Sequence, residues 1–184
     1  MNALQGKTAV VTGASRGIGA AVARALAAGG ARVALLARRA SALDAMAAEI
    51  GGGAVAIPCD LTVAQDVEAA LATISRTLGT PDLLVSNAGS FALGAIGAMP
   101  PTEVEQMLQL NLVAPYRLMH ALVPAMRERG SGHVVTIGSI ADRLTFPENA
   151  GYAAGKFGAR AMHEVLRQEL RGSGVRVSLV SPGP

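Results

Sequence analysis

Two residues four apart, the ends of Tyr152-Ala153-Ala154-Gly155-Lys156, are of the types and spacing that proton transfer needs. On a helix, positions i and i+4 lie one above the other, so the phenol and the ammonium share a face. A free tyrosine titrates near ~10 and exchanges protons poorly at neutral pH, but a cation beside it stabilises the phenolate. Lowering that pKa to about 7 takes about 4 kcal/mol of preferential stabilisation of the anion. A tyrosine tuned in this way gives a proton to a carbonyl oxygen or takes one from an alcohol. Composition sharpens the pairing: among 16 basic residues only Lys7 and Lys156 are lysines, and there are only 2 tyrosines. A compact, rotatable ammonium is a reason to keep lysine in a chain that otherwise uses arginine. The plainer alternative, a helix with a snorkelling lysine, requires no cofactor site elsewhere.

A cofactor site is legible at Thr12-Gly13-Ala14-Ser15-Arg16-Gly17-Ile18-Gly19, between an apolar strand pattern and a helical one. Glycines there permit a tight turn and let a pyrophosphate approach the backbone at the positive end of a helix. Gly13, Ser15, Arg16, Gly17, Ile18 and Gly19 are therefore candidate phosphate contacts. About 20 residues further on, an acidic side chain would bind the ribose 2′-OH of NAD. This chain has Ala37-Arg38-Arg39 there, and the nearest carboxylate afterwards is Asp44. Guanidinium groups pair well with a 2′-phosphate. Arg38 and Arg39, with Arg16 in reach of the same phosphate, favour NADP(H), with NAD(H) as the alternative.

Positioning these groups falls to alternating strand and helix patterns. Strands are expected from Thr8 to Val11, Arg32 to Leu36, Ala54 to Pro58, Leu83 to Val85, His133 to Ile137 and Val175 to Val180. The first helix is expected from Gly17 to Ala28 with Ile18, Val22, Ala25 and Leu26 inward, and the second with Leu43, Met46, Ala47 and Ile50 inward. Thr62-Val63-Ala64-Gln65 and Thr102-Glu103-Val104-Glu105 have capping-box form. The first opens a helix with Val67, Leu71, Ile74 and Leu78 inward; the second opens a long helix from Thr102 to Met126. The last helix is expected from Tyr152 to Leu170. This rhythm means a parallel sheet covered by helices on both faces, an α/β doubly wound single domain over residues 1–184.

At these motifs the sequence resembles the short-chain dehydrogenase/reductase family. The fingerprint Thr-Gly-x-x-x-Gly-x-Gly is matched from Thr12 to Gly19, Ser86-Asn87-Ala88-Gly89 is similar to Asn-Asn-Ala-Gly, and Tyr152 and Lys156 follow Ser139 at the family's separation. The resemblance implies a Rossmann-type fold with Asn111, Ser139, Tyr152 and Lys156 as the catalytic set. Ser139 would bond the substrate oxygen, and Lys156 would also contact the ribose. The Asn111 backbone carbonyl would hold a water linking the lysine to solvent. Pro115 offers a physical reason for that last role, since it has no N–H to give the carbonyl four residues before it. Asp60 and Leu61 would meet the adenine, and Asn87 the ribose. Ala88 and Gly89 would let the cofactor pass closely, and Pro182-Gly183 would lie near the nicotinamide. Ser86 departs from the family's first asparagine. Relatives continue past strand six with a substrate-covering segment, so the C-terminal part of the fold is expected to be missing after Pro184. Relatives also pair through the two long helices, which implies a homodimer or homotetramer through the helices from Thr102 to Met126 and from Tyr152 to Leu170.

Composition excludes several other classes. Aromatics are only 3% of the 184 residues and the arginines are scattered, so a basic stripe with stacking rings for nucleic acid is missing. Cys59 is the only cysteine and fits a reducing compartment, no apolar run approaches a membrane span, and a cytoplasmic protein is expected. His120, His133 and His163 are spread out, so no metal site is expected. The expected function is NADP(H)-dependent reduction of a ketone or aldehyde to an alcohol, similar to 3-oxoacyl-carrier-protein reductases, with a 3-oxoacyl thioester as a candidate substrate. The alternatives are an NAD-dependent alcohol dehydrogenase and a non-catalytic dinucleotide-binding regulatory protein. Phe91, Leu93, Leu144 and Phe146 suggest an apolar substrate pocket.

Overall fold

The structure, a computed structural model, describes residues 3–183; Met1, Asn2 and Pro184, the ends of the expected domain, lie outside it. Six strands form one parallel sheet: β1 (Thr8–Thr12), β2 (Arg32–Ala37), β3 (Val55–Pro58), β4 (Leu83–Ser86), β5 (Gly132–Ile137) and β6 (Val175–Val180), in the order β3-β2-β1-β4-β5-β6. The order reverses between β1 and β4, and in open α/β sheets the ligand crevice lies at such a reversal. Register brings the carboxyl ends to one edge. Thr12 pairs with Leu36, Ala37 with Pro58, Ser86 with Thr136, and Ile137 with Val180. The segments starting at Gly13, Arg38, Cys59, Asn87, Gly138 and Ser181 therefore leave the sheet side by side.

Strand alternation sorts the core into two layers. Ala9, Val11, Val33 and Leu35 pack under α1 (Gly17–Ala28) and α2 (Ala40–Ile50). Val10, Leu36, Ile57, Leu84 and Val134 face α3 (Ala64–Leu78) and α5 (Ala114–Arg129), with Met162, Leu166 and Leu170 packed on the same cluster. Met162 and Leu166 come from α6 (Ala150–Glu169). Buried side chains of this size stabilise the fold by about 1.5–3 kcal/mol each. No helix among the described residues is long and apolar enough to cross a membrane.

Three expectations are corrected. In α1 the buried positions are Gly19, Ala20 and Ala23, whereas Ile18 is 50% exposed and Ala25 is also exposed. The helix meets the sheet most closely through its smallest residues, while Val22 and Leu26 pack partly buried on the same core cluster, as expected. Neither capping box forms: α3 begins after Val63 and Pro101 begins α4 (Pro101–Leu108), and neither start has a side-chain cap. The Thr62 hydroxyl instead donates to Asp60, and a proline at the first turn, its φ preset for the helix, leaves Thr102 already inside. The long helix is divided by a π-helical turn, Gln109–Val113, between α4 and α5. There the Ala114 amide reaches back to the Gln109 carbonyl, five residues away.

Two histidines, one buried and one half-buried, make stability pH-dependent. His163 is 3% exposed with Nδ1 3.3 Å from the Thr136 hydroxyl, and burial, with Arg167 adding to it, lowers its pKa. Burial also lowers His133, whose Nε2 lies 2.8 Å from the Ser178 hydroxyl. Below the ordinary histidine pKa of ~6.5 the unfolded chain binds more protons than the folded one, so stability falls as pH drops from there. The melting temperature is expected to decline as pH falls below about 6.5, less steeply for His163→Asn. Thermal melts across that range check this, and identical slopes for the two proteins would refute it.

Candidate active site

At the reversal point the backbone itself forms a cradle. Gly13 has φ +66° and Gly17 φ +57°, the left-handed region that glycine enters without strain. A Cβ on Gly13 would lie 2.8 Å from Asn87 Nδ2 and 3.0 Å from the Ala88 Cα, so this turn sits directly on the start of the β4 loop. Arg16 occupies the N-cap of α1 in extended conformation with no side-chain cap bond. The first turn of α1, with Gly17, Ile18 and Gly19, is thus open at its positive end beside the partly buried Ser15.

Asn87 does something the sequence did not indicate. Its Nδ2 donates to the Thr12 carbonyl at 2.9 Å, and the Thr12 hydroxyl accepts the Asn87 and Ala88 amides, each at 2.9 Å. These bonds stitch the ends of β1 and β4 together. Ser86 is itself buried, at 4% exposure. Thr12 was visible as the first residue of the glycine motif. Its role needs the adjacency of β1 and β4, which spacing does not carry.

Arg38 and Arg39 follow β2 and are exposed, as is Arg16; none of the three forms a salt bridge among the described residues. Asp60 faces this group from the β3 loop. Its carboxyl accepts the Thr62 hydroxyl at 2.7 Å and the Thr62 amide at 2.9 Å, and these bonds, aided by the Arg38 charge, hold its pKa below the ordinary value. Leu61 is buried in the core cluster, so only its backbone is left for the crevice. Burial pushes the Cys59 thiol up to about 11, which makes it an inert core residue.

The other end of the crevice gathers the residues expected to form the catalytic set. Lys156 is buried, and its Nζ lies 5.6 Å from the Tyr152 ring centroid and donates to the Ile137 carbonyl at 3.2 Å. Burial lowers the pKa of this ammonium, with Asp142 acting in the opposite direction. Tyr152 also meets Phe91 edge-on, ring centroids 4.8 Å apart at 84°. A Cβ on Gly89 would lie 2.8 Å from Asn111 Oδ1 and 3.7 Å from Lys156 Nζ, so Gly89, Asn111 and Lys156 share one small space. The Asn111 side chain clamps Ser90, donating to its carbonyl at 2.8 Å and accepting its amide at 3.0 Å. Asn111 sits in the π turn, four residues before Pro115, where its carbonyl has no i+4 amide to receive.

Ser139 caps the short 3-10 turn Ile140–Asp142, its Oγ accepting the Ala141 amide at 3.2 Å. With the oxygen engaged as acceptor, the hydroxyl proton is free to be donated. Pro182 lies alongside, its carbonyl accepting the Ile140 amide at 3.0 Å, and Gly183 follows it. Phe91, expected as part of an apolar pocket wall, lies in this region, and so does Asp142, which was not singled out from sequence. The capping spacing Ser-x-x-Asp, from Ser139 to Asp142, was the available signal for the second.

The donor set and the cradle fit a dinucleotide. Side-chain-free backbone faces the place for a pyrophosphate, three unpaired guanidiniums sit at one end, and a phenol with a buried ammonium sits at the other.

The sequence profile of the short chain dehydrogenase family matches residues 7–184. The chain is 38% identical over 186 residues to the ketoacyl reductase HetN of Nostoc sp., covering all of this chain and 65% of that protein. It is 36% identical to the D-threitol dehydrogenase of Mycolicibacterium smegmatis, over 97% of this chain and 70% of that one. A metagenomic short-chain oxidoreductase solved in complex with NADP superposes with a TM-score of 0.93 at 42% identity, covering 99% of this chain and 84% of that one. A short-chain dehydrogenase from Streptomyces avermitilis gives a TM-score of 0.92 at 38% identity, over 96% and 65%. The chain thus spans about two thirds of the length of several of its relatives, 65% for HetN.

Proposed function

Because the chain belongs to the short-chain dehydrogenase family, we propose that it is the cofactor-binding and catalytic part of an NADP(H)-dependent carbonyl reductase. The observation that carries this reading is the buried Lys156 ammonium 5.6 Å from the Tyr152 ring, in the crevice that begins at the glycine cradle. When bound, the reduced nicotinamide supplies a hydride to the carbonyl carbon of the substrate. Tyr152 gives its phenolic proton to the substrate oxygen, and Ser139 donates its free hydroxyl proton as a hydrogen bond to that oxygen. Lys156 stabilises the phenolate left behind, and its remaining donors would hold the ribose hydroxyls of the cofactor. The Asn111 carbonyl, without an i+4 donor, holds a water through which a proton returns.

The glycine cradle from Gly13 to Gly19 receives the pyrophosphate, Asp60 and the Leu61 backbone border the adenine, and Pro182-Gly183 borders the nicotinamide. Asn87 acts on the ribose through the backbone it braces, with Ala88 and Gly89 beside it. Arg38, Arg39 and Arg16 take the 2′-phosphate. HetN's name, ketoacyl reductase, supports a 3-oxo substrate, and the exposed Phe91, Leu93, Leu144 and Phe146 offer it an apolar wall. The D-threitol dehydrogenase relative favours the second reading, oxidation of an alcohol at the same residues. A groove between α5 and α6, lined by Tyr116, Met119, Val123, Met162, Val165 and Leu166 among others, touches none of the catalytic residues. We assign it to a second copy of the chain, in a homodimer or homotetramer that sedimentation will reveal. The buried lone thiol fits a reducing, cytoplasmic setting.

The test is oxidation of NADPH, with NADH alongside, by the full-length protein against a panel of ketones, aldehydes and 3-oxoacyl thioesters. Preference for NADPH is expected. Arg38→Ala is expected to raise KM for NADPH roughly 10- to 100-fold and leave KM for NADH nearly unchanged, the effect of losing one charge-assisted pairing. A wild-type preference for NADH would overturn the cofactor assignment.

A further inference from the structure

The Asp142 carboxylate is the best-connected buried charge of the catalytic end, and the steps proposed above do not use it. Its side chain has no exposure. One oxygen accepts Arg143 Nε at 2.9 Å and Arg160 Nη1 at 3.4 Å; the other accepts the Ser139 amide at 3.5 Å and the Ser181 hydroxyl in a short bond. Three segments meet on it: the loop of Ser139, the loop that leads from β6 into Pro182-Gly183, and the helix that carries Tyr152 and Lys156. Room for the carboxylate exists because residue 138 is glycine. A Cβ there would lie 2.6 Å from Asp142 Oδ2 and 3.0 Å from Ser181 Oγ. The backbone supports the same junction, the Gly138 amide donating to the Val180 carbonyl at 2.7 Å.

We propose that Asp142 is a positioning residue for hydride transfer, its buried carboxylate holding the Ser139 backbone, and through it the hydroxyl, together with the nicotinamide-side loop in register with the Tyr152–Lys156 helix. A substrate oxygen must meet the Ser139 and Tyr152 protons together, and these come from separate segments with no direct bond between them in the structure. Displacements of about 1 Å in such a constellation cost about 100-fold in rate. The carboxylate also acts through its charge. Arg143 from the loop and Arg160 from α6 face it directly, Glu164 is paired with Arg160, and Lys156 feels it from the same helix. Removing the charge lowers the pKa of the Lys156 ammonium, which then loses a nearby anion.

The inference rests on the reductase reading, so the test carries a control that separates the two. In the full-length protein, Asp142→Asn is expected to lower kcat roughly 10- to 100-fold with KM for NADPH within about threefold, and to move the pH limb of kcat toward acid. Ser181→Ala is expected to lower kcat less, and the double variant to fall no further than Asp142→Asn, since both cut one connection. A purely structural role lowers the melting temperature but leaves kcat per folded enzyme and the pH limb as in wild type, and that result overturns the proposal. If Asp142→Asn does not fold, Ser181→Ala decides alone: wild-type kcat overturns the proposal, and reduced kcat with an unchanged melting temperature supports it. Tyr152→Phe is the control. If it retains turnover, the reductase reading fails; if it is inactive while Asp142→Asn turns over normally, only the Asp142 proposal fails.

Discussion

Tyr152→Phe is expected to lower kcat by about 10²–10⁴-fold, the usual contribution of a positioned proton donor, while NADPH still binds. The substitution removes one oxygen and leaves the packing. The ring of Tyr152 rests edge-on against Phe91 at 4.8 Å, a contact phenylalanine keeps. Lys156 remains tied to the Ile137 carbonyl, so the ammonium does not collapse into the space. The phenolic proton is used only as the substrate oxygen gains charge, so kcat and kcat/KM should fall together. Steady-state kinetics with NADPH titration by fluorescence separates the two effects. Retained turnover would remove Tyr152 from the chemistry, and lost NADPH binding would show that the hydroxyl serves the cofactor instead.

Gly19→Ala carries the second large effect, at the opposite end of the crevice. A Cβ on Gly19 would lie 2.5 Å from Asn87 Nδ2 and closer still to the Gly13 carbonyl oxygen. Neither neighbour can step aside cheaply. Asn87 is bonded to the Thr12 carbonyl, and Gly13 is in a left-handed turn pressed against Ala88. Relief must come from moving α1 away from the β4 loop, which opens the cradle meant for the pyrophosphate. Overpacking of this kind costs about 1–3 kcal/mol of stability. NADPH affinity is expected to fall about 100-fold, since several backbone donors move together. Calorimetric titration and a thermal melt check both parts. Unchanged affinity would mean the phosphates lie elsewhere.

The two experiments interrogate residues of different legibility. The alternation of strands and helices was readable because each strand is a short apolar run and each helix has a 3.6-residue pattern. β6 and α1 have the expected bounds, and the parallel sheet is as expected. Where reading failed, a local competitor won. Thr62 had a nearer acceptor in Asp60, and Pro101 started its helix before Thr102 could cap it. In α1 the expected Val22 and Leu26 do pack on the core, but Ile18 does not, because close approach to the sheet favours glycine and alanine there.

The chain alone established which chemistry is on offer. The tyrosine, the lysine four residues on, the glycine loop and the arginine pair are each recognisable from type and spacing, because helical periodicity and backbone sterics act over a few residues. Folding assigned the partners. Thr12 meets Asn87 only because β1 and β4 are neighbours, Asn111 reaches Ser90 only because the helix loosens into a π turn, and Asp142 joins Ser139, Arg160 and Ser181 only where β5, α6 and β6 converge. Those contacts span up to 75 residues of chain, and no local pattern encodes a hydrogen bond over such a distance.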